Sequence, residues 1–232
     1  MQVIWYPYGK LLNGTAGNDS IDGDWIGGQR NSVLDNLIQG NGGIDQLRGG
    51  EGNDTVRAGG NNGTWAGGSG SSQGNNTYLA GGNGNDLLVI ERSAQGGHLN
   101  KGGSFEMDGG AGADKLIAEK GSFVKMQDYS DERDVFVFGD EFTGTGEVWG
   151  FDKGIDKLEF WGGNWSYDRN QSTSSNSVFT NTEGGKVTVY GIGGDAAADR
   201  DGTDLSTIQH WGSYQQFENN QGPGYGIDVL FG

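Results

Sequence analysis

Five aspartates, Asp19, Asp45, Asp54, Asp86 and Asp114, each stand five residues after a glycine and two before a larger apolar residue. The segments are GTAGNDSID, GNGGIDQLR, GGEGNDTVR, GGNGNDLLV and GGAGADKLI. Gly14, Gly40, Gly49, Gly81 and Gly109 open them, and Gly17, Gly43, Gly52, Gly84 and Gly112 hold the fourth place. Glycine accepts positive φ and close backbone approach, so several carbonyls can converge within one tight turn. The aspartate adds a carboxylate at the end of that turn. Such an oxygen set suits a hard cation such as calcium, which takes six to eight oxygens at about 2.3–2.6 Å. The remaining residues of each segment read as a short strand with its apolar member inward: Ile21, Leu47, Val56, Leu88 and Leu116.

What positions these turns must be held by more than apolar burial. Of 232 residues, 48 are glycine and 2 proline, with no collagen-like three-residue period, so the glycine is structural and locally repeated. Only 32% of residues are hydrophobic, too few for a wide core at this length. Lysine and arginine total 15 against 31 aspartates and glutamates, and the formal net charge of −16 repels nucleic acid and anionic membranes. With 7 Trp, 8 Tyr and 10 Phe the chain is no disordered acidic tail; it is a folded polyanion that invites cations. Absence of cysteine excludes disulfides and thiolate metal sites. No segment approaches 18 consecutive apolar residues, so no membrane-spanning segment is expected. The opening MQVIWYPYGK lacks the basic, apolar and small-residue regions of an ordinary signal peptide.

Two of the five segments run in tandem at 40–48 and 49–57, and together the five closely resemble the calcium-binding nonapeptide repeats of the RTX family. The resemblance covers roughly residues 13–117. It implies an all-β fold, a parallel β-roll or β-helix solenoid in which two nonapeptides make a turn and several calcium ions lie between successive turns. On that basis Asp19, Asp45, Asp54, Asp86 and Asp114 are the side-chain ligands, and the glycines of the same turns complete the sites. A two-per-turn count makes AGGNNGTWA at 58–66 a nonapeptide with Gly63 at the ligand place. It also makes half-turns with insertions of the segments holding Asp35, Asn76 and Ser104. One side then reads Asp19, Asp45, Gly63, Asp86 and Asp114, the other Asp35, Asp54, Asn76 and Ser104. All the insertions, near 28–34, 71–75 and 92–103, fall on the second side, where a binding face or tolerant surface loops are equally open readings.

The domains expected are an aromatic N-terminal segment at 1–12, the roll at 13–117 and a β-rich C-terminal cap at 118–232. Beyond 118 the glycine period fades into DVFVFGDEF, EVWGFDKGIDKLEFWG and KVTVYGIGG, which read as ordinary strands and turns. GIDKLEF resembles the segments that close the roll in the family. Asp134, Asp152 and Asp156 either hold a last ion or serve as turn residues. Residues 164–186 read as a long loop or irregular hairpin. The ending GYGIDVLFG resembles uncleaved type I secretion signals, implying a bacterial protein, secreted to the extracellular space or cell surface.

No cysteine nucleophile, G-x-S-x-G or H-E-x-x-H motif occurs, and His98 and His210 stand in unrelated contexts, so no enzyme is expected. Trp65 reads as core. Trp161 and Trp165 read either as a platform for a sugar ring or a neighbouring subunit, or as a cover for the end of the roll. Three functions remain: a structural protein that folds in calcium and self-associates into a surface layer, matrix or filament; a calcium-dependent module for an acidic polysaccharide; and, least favoured, a polysaccharide-active enzyme. An ice-binding roll would need a flat array of outward threonines that these repeats lack. The aromatic patch at 3–8 either folds over the first turn or docks on another copy.

Overall fold

The computed structural model describes residues 2–6, 9–26, 29–30, 34–59, 76–91, 104–119, 121, 123–140, 142–152, 154–162, 164–192 and 229–231. Among them there are strands and turns and no helix, and no helix is long and apolar enough to cross a membrane. Two nine-stranded sheets face each other across one core.

The first sheet runs β1 (Gln2–Tyr6), β2 (Gly9–Asn13), β6 (Asp35–Gln39), β8 (Thr55–Ala58), β10 (Leu87–Ile90), β12 (Lys115–Ala118), β14 (Val135–Phe138), β16 (Lys157–Phe160) and β20 (Val229–Phe231). The second runs β3 (Ser20–Asp22), β7 (Gln46–Glu51), β9 (Asn76–Asn83), β11 (Ser104–Ala111), β13 (Phe123–Gln127), β15 (Thr145–Trp149), β19 (Lys186–Tyr190), β18 (Asn176–Thr180) and β17 (Ser166–Tyr167). A separate antiparallel pair, β4 (Trp25–Ile26) and β5 (Gln29–Arg30), lies within the first inserted segment. From β2 to β16 the chain alternates between the two sheets, and each strand pairs in parallel with the strand one circuit away, which is a parallel β-roll.

Alternation places one apolar residue per strand inward, and parallel register stacks these residues into columns. In the first sheet Leu12, Ile38, Val56, Leu88, Leu116, Phe136 and Leu158 are neighbours in register. In the second the column is Ile21, Leu47, Leu79, Met107, Met126, Val148 and Val189. Every one of them is buried. The columns are narrow, as a chain poor in apolar residues requires, until the C-terminal end widens around Phe138, Phe142, Phe151, Phe160, Trp165 and Phe179.

The register overturns the two-sided count made from the sequence. Asp86 and Asp114 precede β10 and β12 in the sheet of Asp54, whereas Asp19 and Asp45 precede strands of the other sheet. The physical reason is that β8, which follows Asp54, lies in the first sheet and the next described strand, β9, in the second, so Asp86 and Asp114 precede strands of the same sheet as Asp54. Gly63 and Trp65 lie outside the described residues. The insertions do not share an edge either. That near 28–34 connects β3 to β6, from the second sheet to the first, and those near 71–75 and 92–103 run the opposite way. Residues 71–75 and 92–103 themselves lie outside the described residues.

Parallel pairing does not stop where the glycines fade: β12, β14 and β16 continue one ladder, and β20 in the tail pairs with β16. Residues 164–186 resolve into β17, β18 and the turn before β19, antiparallel strands that close the second sheet. At the other end β1 pairs antiparallel with β2, so residues 2–6 fold back on their own chain.

Candidate calcium sites

Two kinds of turn join the sheets, and each stacks on its equivalents. Turns 49–54, 81–86 and 109–114 lead from the second sheet to the first; turns 14–19 and 40–45 lead from the first to the second. The stacking explains the glycines. Gly84 has φ +130°, and a Cβ on it would fall on the Gly52 carbonyl of the preceding turn. Any L side chain there is doubly excluded.

At the end of four of these turns the aspartate is buried: Asp45 is 0% exposed, Asp54 1%, Asp86 3% and Asp114 1%. One oxygen of each carboxylate has a defined partner. The Asn36 amide donates to Asp54 Oδ1 at 2.7 Å, Asp54 to Asp86 at 2.6 Å, Asp86 to Asp114 at 2.7 Å, Asp114 to Asp134 at 2.8 Å and Asp134 to Asp156 at 3.0 Å. In the other set the Asp19 amide donates to Asp45 Oδ1 at 2.9 Å, and the Asp45 amide to Thr77 Oγ1 at 3.3 Å. The second oxygen, Oδ2, of Asp45, Asp54, Asp86 and Asp114 is buried with no hydrogen-bond partner. Each of these oxygens crowds the first glycine of its own turn: Gly40, Gly49, Gly81 or Gly109. Two of these glycines also face the next turn's carbonyl: a Cβ on Gly49 would lie 2.6 Å from Gly81 O, and one on Gly81 2.4 Å from Gly109 O.

A buried carboxylate with an orphaned oxygen is costly when ionised, and the titration of these groups reflects it. Burial pushes Asp45 and Asp86 up to about 6 and Asp54 up to about 7, against the lowering effect of the donated amides. Asp114, Asp128, Asp134 and Asp156 move the same way, again through burial first, with neighbouring carboxylates adding to it. A divalent cation among the orphaned oxygens and turn carbonyls reverses that penalty. The donors are all oxygen, as calcium requires.

Not every residue anticipated from the sequence stands at this place. Asp19 is half-buried and its Oδ2 accepts the Thr15 amide at 2.6 Å and hydroxyl at 2.9 Å. Asp35 is exposed, and register places Asn36 opposite Asp54. Asp35 belongs to a neighbouring column, in which its Oδ1 accepts the Asn53 amide at 2.8 Å and Asn53 Oδ1 the Asn85 amide at 2.7 Å. Thr77 takes the place opposite Asp45, and Asn76 and Ser104 pair with each other one residue earlier. Asp134 and Asp156 continue the column of Asp54, though Asp156 Oδ2 already accepts the Asp152 amide at 2.7 Å. Trp165 is 1% exposed and stacked on Phe160 at 4.5 Å, so it covers the end of the roll and offers no platform.

Other residues escaped the sequence reading. Lys10, 1% exposed, stands opposite Asn36 at the head of the aspartate column and donates from Nζ to Gly23 O at 3.1 Å. Asp128 occupies the place of a first glycine. Asp24 packs over Gly50, its Oδ1 buried without a hydrogen-bond partner. The signal available for the later turns was the Asp-x-apolar spacing of DKLI, DVFVF and DKLEF, which outlasts the glycines.

Stacked glycine turns closed by buried aspartates on a parallel roll define the class: a calcium-binding β-roll. Residues 11–25 and 33–64 match the RTX calcium-binding nonapeptide repeat in four copies. The chain carries RTX repeats, and calcium is the ion such repeats bind. No curated protein and no solved structure matches it.

Proposed function

We propose that this is a secreted structural protein whose calcium sites are the turns ending at Asp45, Asp54, Asp86 and Asp114, and whose folding waits for calcium. The observation that carries the reading is the row of buried carboxylate oxygens without hydrogen-bond partners, each packed against the first glycine of its own stacked turn. In the metal-free chain those charges oppose closure of the roll, and its narrow core cannot offset the chain entropy alone. Exported into millimolar calcium, the chain folds into a stiff roll that contributes to an extracellular layer or matrix.

Assembly on this reading proceeds through the sides of the roll rather than its ends. Each sheet ends in an antiparallel strand at one side and a short strand at the other: β1 and β20 in the first, β17 and β3 in the second. Such edges are poor templates for adding another chain. Circular dichroism at pH 7.5 in chelator and then in millimolar calcium tests the folding step, with the β-rich spectrum expected only in calcium. Electron microscopy of the same samples tests assembly: lateral arrays in calcium are expected, and a monodisperse monomer at high concentration removes the structural role.

A further inference from the structure

We propose a cation site of a second kind, formed by Asp114, Asp128 and Asp134 where the glycine repeats give way to the closing strands. It rests on the reading of the turns as calcium sites but lies beyond the matched residues 11–25 and 33–64, and its composition differs. One carboxylate oxygen from each of Asp114, Asp128 and Asp134 lies within 4.8 Å of the other two. All are buried, with exposures of 1%, 0% and 1%.

The fold puts Asp128 there for a simple reason. Register sets Asp108 against Gln127, so the following residue of β13's strand path, Asp128, takes the place that Gly109 holds one circuit earlier. The glycine turn has no side chain at that place; this turn has a carboxylate. Asp128 Oδ1 accepts the Ser130 amide at 2.9 Å, Asp114 Oδ1 the Asp86 amide at 2.7 Å and Asp134 Oδ1 the Asp114 amide at 2.8 Å. Asp134 Oδ2 accepts the Ser130 hydroxyl at 3.3 Å. Asp114 Oδ2 and Asp128 Oδ2 have no hydrogen-bond partner, and both crowd the bare Cα of Gly109.

Two buried carboxylate oxygens beside one glycine repel each other when both are ionised, and a cation between them offsets that repulsion. Three oxygens within 4.8 Å of one another have a common centre at most about 2.8 Å from each, so a closure of a few tenths of an ångström brings all three to a calcium–oxygen distance. Among the described residues no histidine or cysteine joins the cluster, and an all-oxygen set selects a hard divalent ion. Since calcium affinity rises with the number of charged ligands, this site binds most tightly and fills first. It then fastens the last glycine turn to the strands that follow it.

Calorimetric titration of the whole chain with Ca2+ tests this, with circular dichroism at saturating Ca2+ as the folding control. Asp128→Asn weakens the tightest binding step by about tenfold or more. Asp128→Gly restores the glycine of the other turns and brings that step down to their level. Asp54→Asn leaves the tightest step in place and weakens a later one. If both Asp128 variants reach the β-rich state and keep the tightest step unchanged, the site is refuted. If Asp128→Asn does not fold, Asp128→Gly alone decides on the same criterion. A parent chain that binds no Ca2+ overturns the calcium reading of the turns as a whole, a different result from a silent Asp128.

Discussion

At the scale of single residues, the aspartates behave in opposite ways with and without the ion. Their folded-state values are raised above the ordinary carboxylate range, so the calcium-free folded protein holds more protons than the unfolded chain between about pH 4 and 8. Stability without calcium is therefore greatest at low pH and is lost as pH rises through that window. Circular dichroism in chelator should show more β structure at pH 4.5 than at pH 7.5. With calcium present the order reverses, because protons compete for the same oxygens, and the calcium midpoint should rise as pH falls. Asp54→Ala should raise that midpoint markedly, and Asp131→Ala, at an exposed position, should not. Lys10 supplies a positive charge at the head of the column, where it reaches the first carbonyl. Lys10→Met removes a charged hydrogen bond worth about 1.5–3 kcal/mol and should raise the calcium needed for folding, read in the same titration. The aspartates were legible in the sequence because their turns are local and repeat. Lys10 and Asp128 were not, since each occupies a repeat place with the wrong residue type.

At the scale of elements, the turn dictates glycine and the strand dictates only an inward apolar side chain. Gly84 and Gly184 separate the two demands placed on a turn. Both have positive φ, at +130° and +96°, but a Cβ on Gly184 meets nothing within 4 Å, whereas one on Gly84 falls on Gly52 O. Gly184→Ala should cost roughly 1–2 kcal/mol of backbone strain. Gly84→Ala adds overpacking of about 1–3 kcal/mol, and denaturant midpoints in saturating calcium measure the difference. The same distinction explains what the sequence showed of the fold. Glycine turns announced the roll as far as Leu116, and after that the surviving signal was the inward place, filled by Phe136 and Leu158. Sheet membership was illegible for a different reason. It depends on which sheet each strand joins after a long interval such as that between β8 and β9, and no local pattern records that.

At the scale of the whole molecule, each turn is tied to both neighbours. The aspartate amides donate to the following circuit, from Asn36 through Asp134, and the asparagine-place amides donate to the preceding one, as Asn53 does to Asp35. Stability is then a matter of nearest-neighbour contacts, and folding in calcium should propagate cooperatively from the turns that bind the ion most tightly. Deleting residues 1–6 removes β1 and bares the edge of β2, so light scattering should show more self-association in calcium than for the intact chain. The hydrogen-bonded aspartate column also carries a consequence for how such a chain can change in evolution. Successive members of that column are separated by 18, 32, 28, 20 and 22 residues, yet every bond between them lies between 2.6 and 3.0 Å. Circuit length is free as long as register is kept. New sequence can enter between β8 and β9 without disturbing an ion site. Within the turns, length can change only by whole circuits, because a half circuit would move every later strand to the opposite sheet. A loop grafted into 59–75 should therefore leave calcium-dependent folding intact, making the roll a frame on which surface segments diversify while the metal sites stay fixed.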